Sequence, residues 1–178
     1  MKRVAKRALK GIAESRTKKR VYKTAAEELA QKCVGWLMSD QCVFCRIVRN
    51  EASRSAIYED DEVLAILDFR PVSEGHTLVI PKKHYENIFE IPEEEAAYLF
   101  RIVKKIAGAV RLGVNADGIS LVQNNGKAAN QVVFHLHVHI IPRYEGQKSS
   151  RPREVVEANF LDKVADRIRE SVLTQHTL

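Results

Sequence analysis

Val132-Val133-Phe134-His135-Leu136-His137-Val138-His139-Ile140-Ile141 is the stretch on which the fold turns. From 135 to 140, histidine alternates with an aliphatic residue. On a strand, alternate side chains share a face. The pattern therefore predicts a strand over 132–141, closed by Pro142, with Leu136, Val138 and Ile140 in a core and three imidazoles on the opposite face. Each step of two residues covers about 6.6 Å, so His135 and His139 stand roughly 13 Å apart at their backbones. One tetrahedral zinc, whose nitrogen ligands sit about 2 Å away, would not easily take both. The three histidines are thus divided between tasks. Imidazole titrates near neutrality and can act as nucleophile, acid or base. Such an array can supply a nucleophile, a group that orients it, and a cation for a phosphate oxygen.

Working outward, Glu62 to Leu67, Thr77 to Ile80 and Ile119 to Gln123 read as further strands, and Val43 to Val48 is a short apolar run. Residues 93–112 carry the strongest helical pattern. Pro92 and three glutamates open it, Leu99, Ile102, Val103, Ile106 and Val110 form its buried face, and Gly113 is expected to stop it. Residues 154–173 form a terminal helix with Val156, Phe160, Val164, Ile168 and Val172 in register. The connections between most strands are too short for parallel crossovers. The expected fold is α+β: a mostly antiparallel sheet of about five strands with one long helix packed on it, plus helical N- and C-terminal extensions. The expected organisation is a basic helical extension at 1–40, a functional domain at 41–145, and a tail and helix at 146–178.

The charge is unevenly placed. Residues 1–40 hold eleven Lys/Arg against four acids, whereas the rest holds eighteen against nineteen. A basic arm of this kind can attract nucleic acid, or it can be a solvated helix face. Its first fourteen residues are amphipathic in the manner of a transit peptide, a reading that Glu14 weakens. No apolar run reaches eighteen residues, so no membrane span is expected. The three cysteines, Cys33, Cys42 and Cys45, cannot close a disulfide framework, which suits a reducing, cytoplasmic compartment. Cys42-x-x-Cys45 has two-ligand metal spacing, with His84 and His135 as candidates to complete a set of four; the alternative is two buried free thiols and a surface His84. His76 and His176 are not expected to be ligands; His76, at a strand start, reads as structural. No Gly-x-x-x-x-Gly-Lys loop exists to cradle a triphosphate.

His135-Leu136-His137-Val138-His139-Ile140-Ile141 resembles the His-x-His-x-His-x-x motif of the histidine triad superfamily. Cys42-Val43-Phe44-Cys45-Arg46-Ile47 looks like that family's opening strand. Asp68-Phe69-Arg70-Pro71 and Gly75-His76-Thr77-Leu78-Val79-Ile80-Pro81-Lys82-Lys83-His84 look like its second signature. Asn124-Asn125-Gly126 and Gln131 match the segment before the triad. The resemblance covers residues 41–145 in order, and it implies the following. His137 is the nucleophile toward the α-phosphorus of a purine nucleotide, releasing a nucleoside monophosphate from a phosphoramidate or a dinucleoside polyphosphate. His139 contacts the phosphate, and Asn124 contacts the phosphate or orients the triad. Asp68 takes the ribose hydroxyls; Phe44, Phe69, Val43 and Ile66 wall the base pocket, with Gln131 beside them. Prokaryotic branches hold a structural zinc on the equivalents of Cys42, Cys45, His84 and His135; no organic cofactor is implied. A homodimer through the long helix and an adjacent strand is implied too. The pattern departs at Val132, where the family often has a serine or threonine whose hydroxyl touches the phosphate. The competing reading is a nucleotide- or nucleic-acid-binding module, one form of which removes adenylate from nucleic-acid ends, with residues 1–40 as its contact.

Overall fold

The computed structural model describes residues 41–52, 54–147 and 154–174. The helical extension expected over 1–40, and His176, lie outside them. In chain order the elements are α1 (Val43–Val48), β1 (Ala56–Glu59), β2 (Val63–Leu67), β3 (Thr77–Pro81), α2 (Glu93–Gly113), β4 (Gly118–Val122), a 3-10 turn (Lys127–Ala129), β5 (Val138–Arg143) and α3 (Ala158–Thr174). The five strands form one sheet in the order β1-β2-β3-β5-β4, antiparallel throughout. The fold is the α+β arrangement expected.

The sheet is covered on both sides, which is why β2 and β3 are buried along their full length. Val63, Ala65, Leu67, Val79, Val138 and Ile140 face the larger core, with Leu99, Ile102, Val103, Ile106 and Val110 of α2 and Leu161, Val164, Ile168 and Val172 of α3. Leu64, Ile66, Leu78 and Ile80 face a smaller core closed by Phe44 and Ile47 of α1. The alternation read from sequence thus sorts residues between two cores.

Four local expectations are corrected. The run Val43–Val48 is a helix, one turn and a half long, with Arg46 N–H bonded to Cys42 C=O and Arg49 N–H to Cys45 C=O at 3.1 Å each. A six-residue apolar run does not by itself distinguish helix from strand. The first strand is instead Ala56–Glu59. The last strand starts only at Val138 and passes through Pro142 to Arg143. Its pairing with β3 ends at Ile140, so Pro142 is paired only on the β4 side, opposite Ile119, and its missing N–H is tolerated. Helix α2 runs one residue further than expected: Gly113 is its last helical residue, before Val114, and not the stop beyond it. A β-carbon there would meet the Ile168 Cα at 2.9 Å and the Arg167 carbonyl at 3.1 Å. Glycine at 113 lets α3 lie against α2. Phe160, expected in the apolar register of α3, is 47% exposed, and Leu161 is buried in its place.

Candidate functional site

Residues 135–137 precede the start of β5 and are held from three sides. The Leu136 side chain is fully buried in the larger core, and its N–H bonds the Tyr85 carbonyl at 2.6 Å. His135 turns toward α1, and His137 and His139 stand on the α1 side of the sheet. The Phe44 ring meets His135 edge-on at 5.9 Å between centroids and His137 at 5.0 Å; His137 and His139 lie 4.8 Å apart.

The first assembly is a ring of four donors. Cys42 Sγ and Cys45 Sγ each lie 3.5 Å from His135 Nδ1, and Cys45 Sγ lies 3.2 Å from His84 Nδ1. All four ligand atoms fall within 4.8 Å of one another. The one-turn helix after Cys42 makes this possible: residues three apart on a helix share a side. His135 Nε2 sits 2.9 Å from the Pro81 carbonyl, which can only accept. The ring proton is therefore on Nε2, and the Nδ1 lone pair faces the thiols, the usual second contact of a metal-bound histidine. Burial opposes ionisation of Cys42, but the His135 and His84 rings beside it and the Cys45 backbone N–H overcome it and hold its pKa down at about 5. The same sulfur raises that of His84 against the effect of burial. Two cysteines and two imidazoles at this separation fit a tetrahedral zinc with a closed shell.

The second assembly is a cavity of about 570 Å³ bordered by α1, the β2–β3 connection, the 124–133 loop and β5, a size typical of small-ligand sites. Val43, Phe44, Ile66, Asp68, Phe69, Asn124, Gln131, His137 and His139 all line it, and so do Arg70 and Val132. Phe69 is 59% exposed and Val132 86% exposed, so both are rim residues; Phe44 and Ile66 are buried. His137 Nδ1 lies 2.7 Å from the His135 carbonyl. The acceptor fixes the proton on Nδ1 and leaves an Nε2 lone pair. Burial holds the pKa of His137 below its ordinary value, so the ring is neutral at pH 7. Asn124 Nδ2 reaches the Asn130 carbonyl at 3.5 Å, at the limit of a hydrogen bond. The Gln131 amide is engaged by its own loop: its oxygen accepts from Gly126 N–H at 2.6 Å, and its nitrogen donates to the Glu86 and Val133 carbonyls at 2.6 and 3.1 Å. It braces the cavity wall.

A third grouping joins Asp68, His76 and His139. His76 Nε2 lies 2.9 Å from His139 Nδ1. His76 Nδ1 lies 3.2 Å from Val72 N–H and 3.4 Å from Asp68 Oδ2. Asp68 and His76 are both buried. Sequence reasoning assigned His76 a structural place and missed its link to His139. Leu78 is the cross-strand partner of His139, which makes His76 a diagonal neighbour on the same face; only the register of β3 and β5 reveals it.

An antiparallel sheet whose last strand is entered through three alternating histidines, between a thiol cluster and a nucleotide-sized cavity, is the architecture of a histidine triad domain. The HIT domain family model matches residues 49–146, and the chain belongs to that family. It is 45% identical over 108 residues to adenylylsulfatase HINT3 of Arabidopsis thaliana, covering 61% of this chain and 55% of that protein. It is 31% identical over 138 residues to adenosine 5'-monophosphoramidase HNT1 of Candida albicans, covering 74% and 91%. A zinc-bound histidine triad protein of Mycobacterium smegmatis superposes with a TM-score of 0.71 at 40% identity, over 75% or more of each chain (78% and 98%).

Proposed function

We propose that the protein is a nucleotide hydrolase or nucleotidyl transferase acting at an α-phosphate through a nucleotidyl-histidine intermediate. One observation carries this reading: His137 is buried, neutral and fixed by the His135 carbonyl, with its other nitrogen available as a lone pair in a cavity of nucleotide size. Nε2 of His137 forms a bond to phosphorus while the bond to the leaving amine or phosphate oxygen breaks, and the leaving group takes a proton. Water then cleaves the P–N bond and releases the nucleoside monophosphate. Positive charge on the imidazole during attack strengthens the Nδ1–H bond to the His135 carbonyl, so that contact acts most in the transition state.

Phe44, Val43, Ile66 and Phe69 receive the base, Asp68 takes the ribose hydroxyls, and His139 and Asn124 meet the phosphate. Gln131 acts through the loop that it braces. Val132 has no hydroxyl, so the contact that serine or threonine makes in relatives falls to a backbone N–H or another group. Cys42, Cys45, His84 and His135 would hold a structural zinc, whose role is to fix the segment that presents His137. The activities that name the two relatives, on an adenylyl sulfate and an adenosine phosphoramidate, support adenylyl substrates and leave the leaving group open. We also infer a homodimer: β4 is an outer strand with Leu121 half exposed, and α2 exposes Phe100 and Leu112.

The test is AMP release from adenosine 5'-phosphoramidate and from a diadenosine polyphosphate, side by side. Wild type turns over at least one, and folded His137→Ala loses at least about 10³-fold in kcat. Release from neither by the wild type, or undiminished release by the variant, sinks the reading.

A further inference from the structure

When His137 Nε2 displaces a group from phosphorus, the departing atom either receives a proton or is acidic enough to leave as an anion. The side chains that border the cavity decide which. Among the described residues, no serine, threonine, tyrosine, cysteine or lysine lines it. The amides of Asn124 and Asn130 can donate hydrogen bonds but do not release a proton, and that of Gln131 is taken up by its own loop. Arg70 also borders the cavity, and a guanidinium keeps its proton at any ordinary pH. Buried Asp68 accepts from Arg70 N–H at 2.9 Å and, in the nucleotide reading, from the ribose hydroxyls.

The two histidines of the cavity hold their protons as well. That of His137 is on Nδ1, against the His135 carbonyl at 2.7 Å. His139 is fixed from behind. Val72 N–H can only donate, and it lies 3.2 Å from His76 Nδ1, closer than Asp68 Oδ2 at 3.4 Å. His76 therefore carries its proton on Nε2 and gives it to His139 Nδ1 at 2.9 Å, which leaves the single proton of His139 on Nε2. A second proton on His139 would sit on Nδ1, head-on against the His76 N–H. His139 can thus offer a phosphate oxygen a hydrogen bond, but a neutral imidazole is no acid: losing its proton would make it an imidazolate.

We propose that this site is built for leaving groups that depart as anions, and that its substrates are mixed anhydrides of a nucleoside monophosphate with a sulfuric, carboxylic or phosphoric acid, with phosphoramidates poor by comparison. The inference rests on the nucleotide reading above and narrows its substrate class. Carboxylic acids titrate near about 4 and phosphates near about 6, so both leave unaided at pH 7. An amine expelled without a proton is an amide ion, and here only solvent supplies that proton. In the first step His137 Nε2 bonds phosphorus, the P–O bond breaks, and its electron pair leaves on the oxygen of the acid. The ring keeps its Nδ1 proton and becomes a cation as the anion departs, so no proton moves. Water then adds to phosphorus, loses a proton to solvent, and frees neutral His137.

The test uses the full chain as purified. Initial rates of AMP release from adenylyl sulfate and from adenosine 5'-phosphoramidate give kcat/KM for each. Wild type prefers the sulfate by at least about 10²-fold, the smallest contribution of a general acid that this site lacks. Val132→Thr then separates proton supply from recognition. It keeps the shape of the side chain and adds one hydroxyl at a position that is 86% exposed on the cavity rim, where folding is not at risk. That hydroxyl passes a solvent proton to the departing nitrogen and lowers the preference at least about fivefold. A wild-type preference below about 10²-fold overturns the inference and leaves the nucleotide reading intact, since both substrates still yield AMP. A preference that Val132→Thr does not move overturns it too, because recognition of the sulfate then sets the ratio. AMP from neither substrate brings down the nucleotide reading and this inference with it.

Discussion

Leu136→Ala tests how the histidine segment is held. Leu136 lies between the cluster-facing His135 and the cavity-facing His137, outside regular strand pairing, with no side-chain exposure. It is packed in the larger core, so truncation leaves a hole that strands and helices on that side cannot readily fill. A fully buried Leu→Ala costs about 3–5 kcal/mol, a large share of a domain's roughly 5–15 kcal/mol. The variant should fold at low temperature, with its urea midpoint lowered and its m-value unchanged. Val132→Ala, at a position 86% exposed in the same segment, should stay within about 0.5 kcal/mol. Because His135 and Leu136 hold the same three residues, His135→Ala and Leu136→Ala should be non-additive by about 0.5–3 kcal/mol. A Leu136→Ala cost under about 1 kcal/mol, or strict additivity with His135→Ala, would refute the claim that the core and the thiol cluster jointly pin the segment.

Burial lowers the pKa of His137, so the unfolded or exposed ring binds a proton at a higher pH than the native one. The neutral nucleophile is therefore retained as pH falls, and the acid limb of kcat/KM against pH should have its midpoint below 6.5; a midpoint above 6.5 contradicts the assignment. Chelation should release one zinc per chain from the four-donor cluster and lower the melting temperature, and Cys45→Ala should do the same without chelator. A zinc content of zero in protein grown with the metal, measured by atomic absorption, would leave two free thiols as the correct description. Gly113→Ala should lose up to about 2 kcal/mol, since overpacking costs of about 1–3 kcal/mol match or exceed a helix-propensity gain of about 1 kcal/mol. Urea denaturation showing stabilisation would mean that α3 yields easily at Ile168.

The sheet was legible because its evidence is periodic. Alternation at 135–140 identifies the face of each residue there, and the unbroken apolar run Val63 to Leu67 marks a strand buried on both faces. What stayed hidden was non-periodic. Val43–Val48 is too short to show a period, and its helical form follows from the buried Phe44, Cys45 and Ile47 on one side. Ala56–Glu59 has only Ile57 buried and so shows little strand pattern. The late start of β5 depends on the Leu136 N–H bonding Tyr85, a contact 51 residues away by sequence number and invisible to local patterning. The cavity residues were named from the resemblance to the histidine triad family and the thiol pair from its two-ligand spacing, and the structure brings each set together. The Asp68–His76–His139 contacts were not, because they depend on strand register.

The three triad imidazoles differ in what holds their second nitrogen, and that difference divides their tasks. His135 Nε2 and His137 Nδ1 each face a backbone carbonyl, at 2.9 and 2.7 Å. A carbonyl has no proton to give, so it dictates one neutral tautomer: the lone pair is on Nδ1 of His135, the proposed ligand, and on Nε2 of His137, the proposed nucleophile. A ligand and a nucleophile need no other state. His139 Nδ1 instead faces another imidazole at 2.9 Å, which can donate or accept. Val72 N–H donates to His76 Nδ1, so neutral His76 carries its proton on Nε2 and gives it to His139 Nδ1. His139, which we propose meets the phosphate, therefore keeps its own proton on Nε2 as a donor toward the cavity. Identical spacing in sequence gives three differently directed rings, because the partner of each ring is chosen by the surrounding fold.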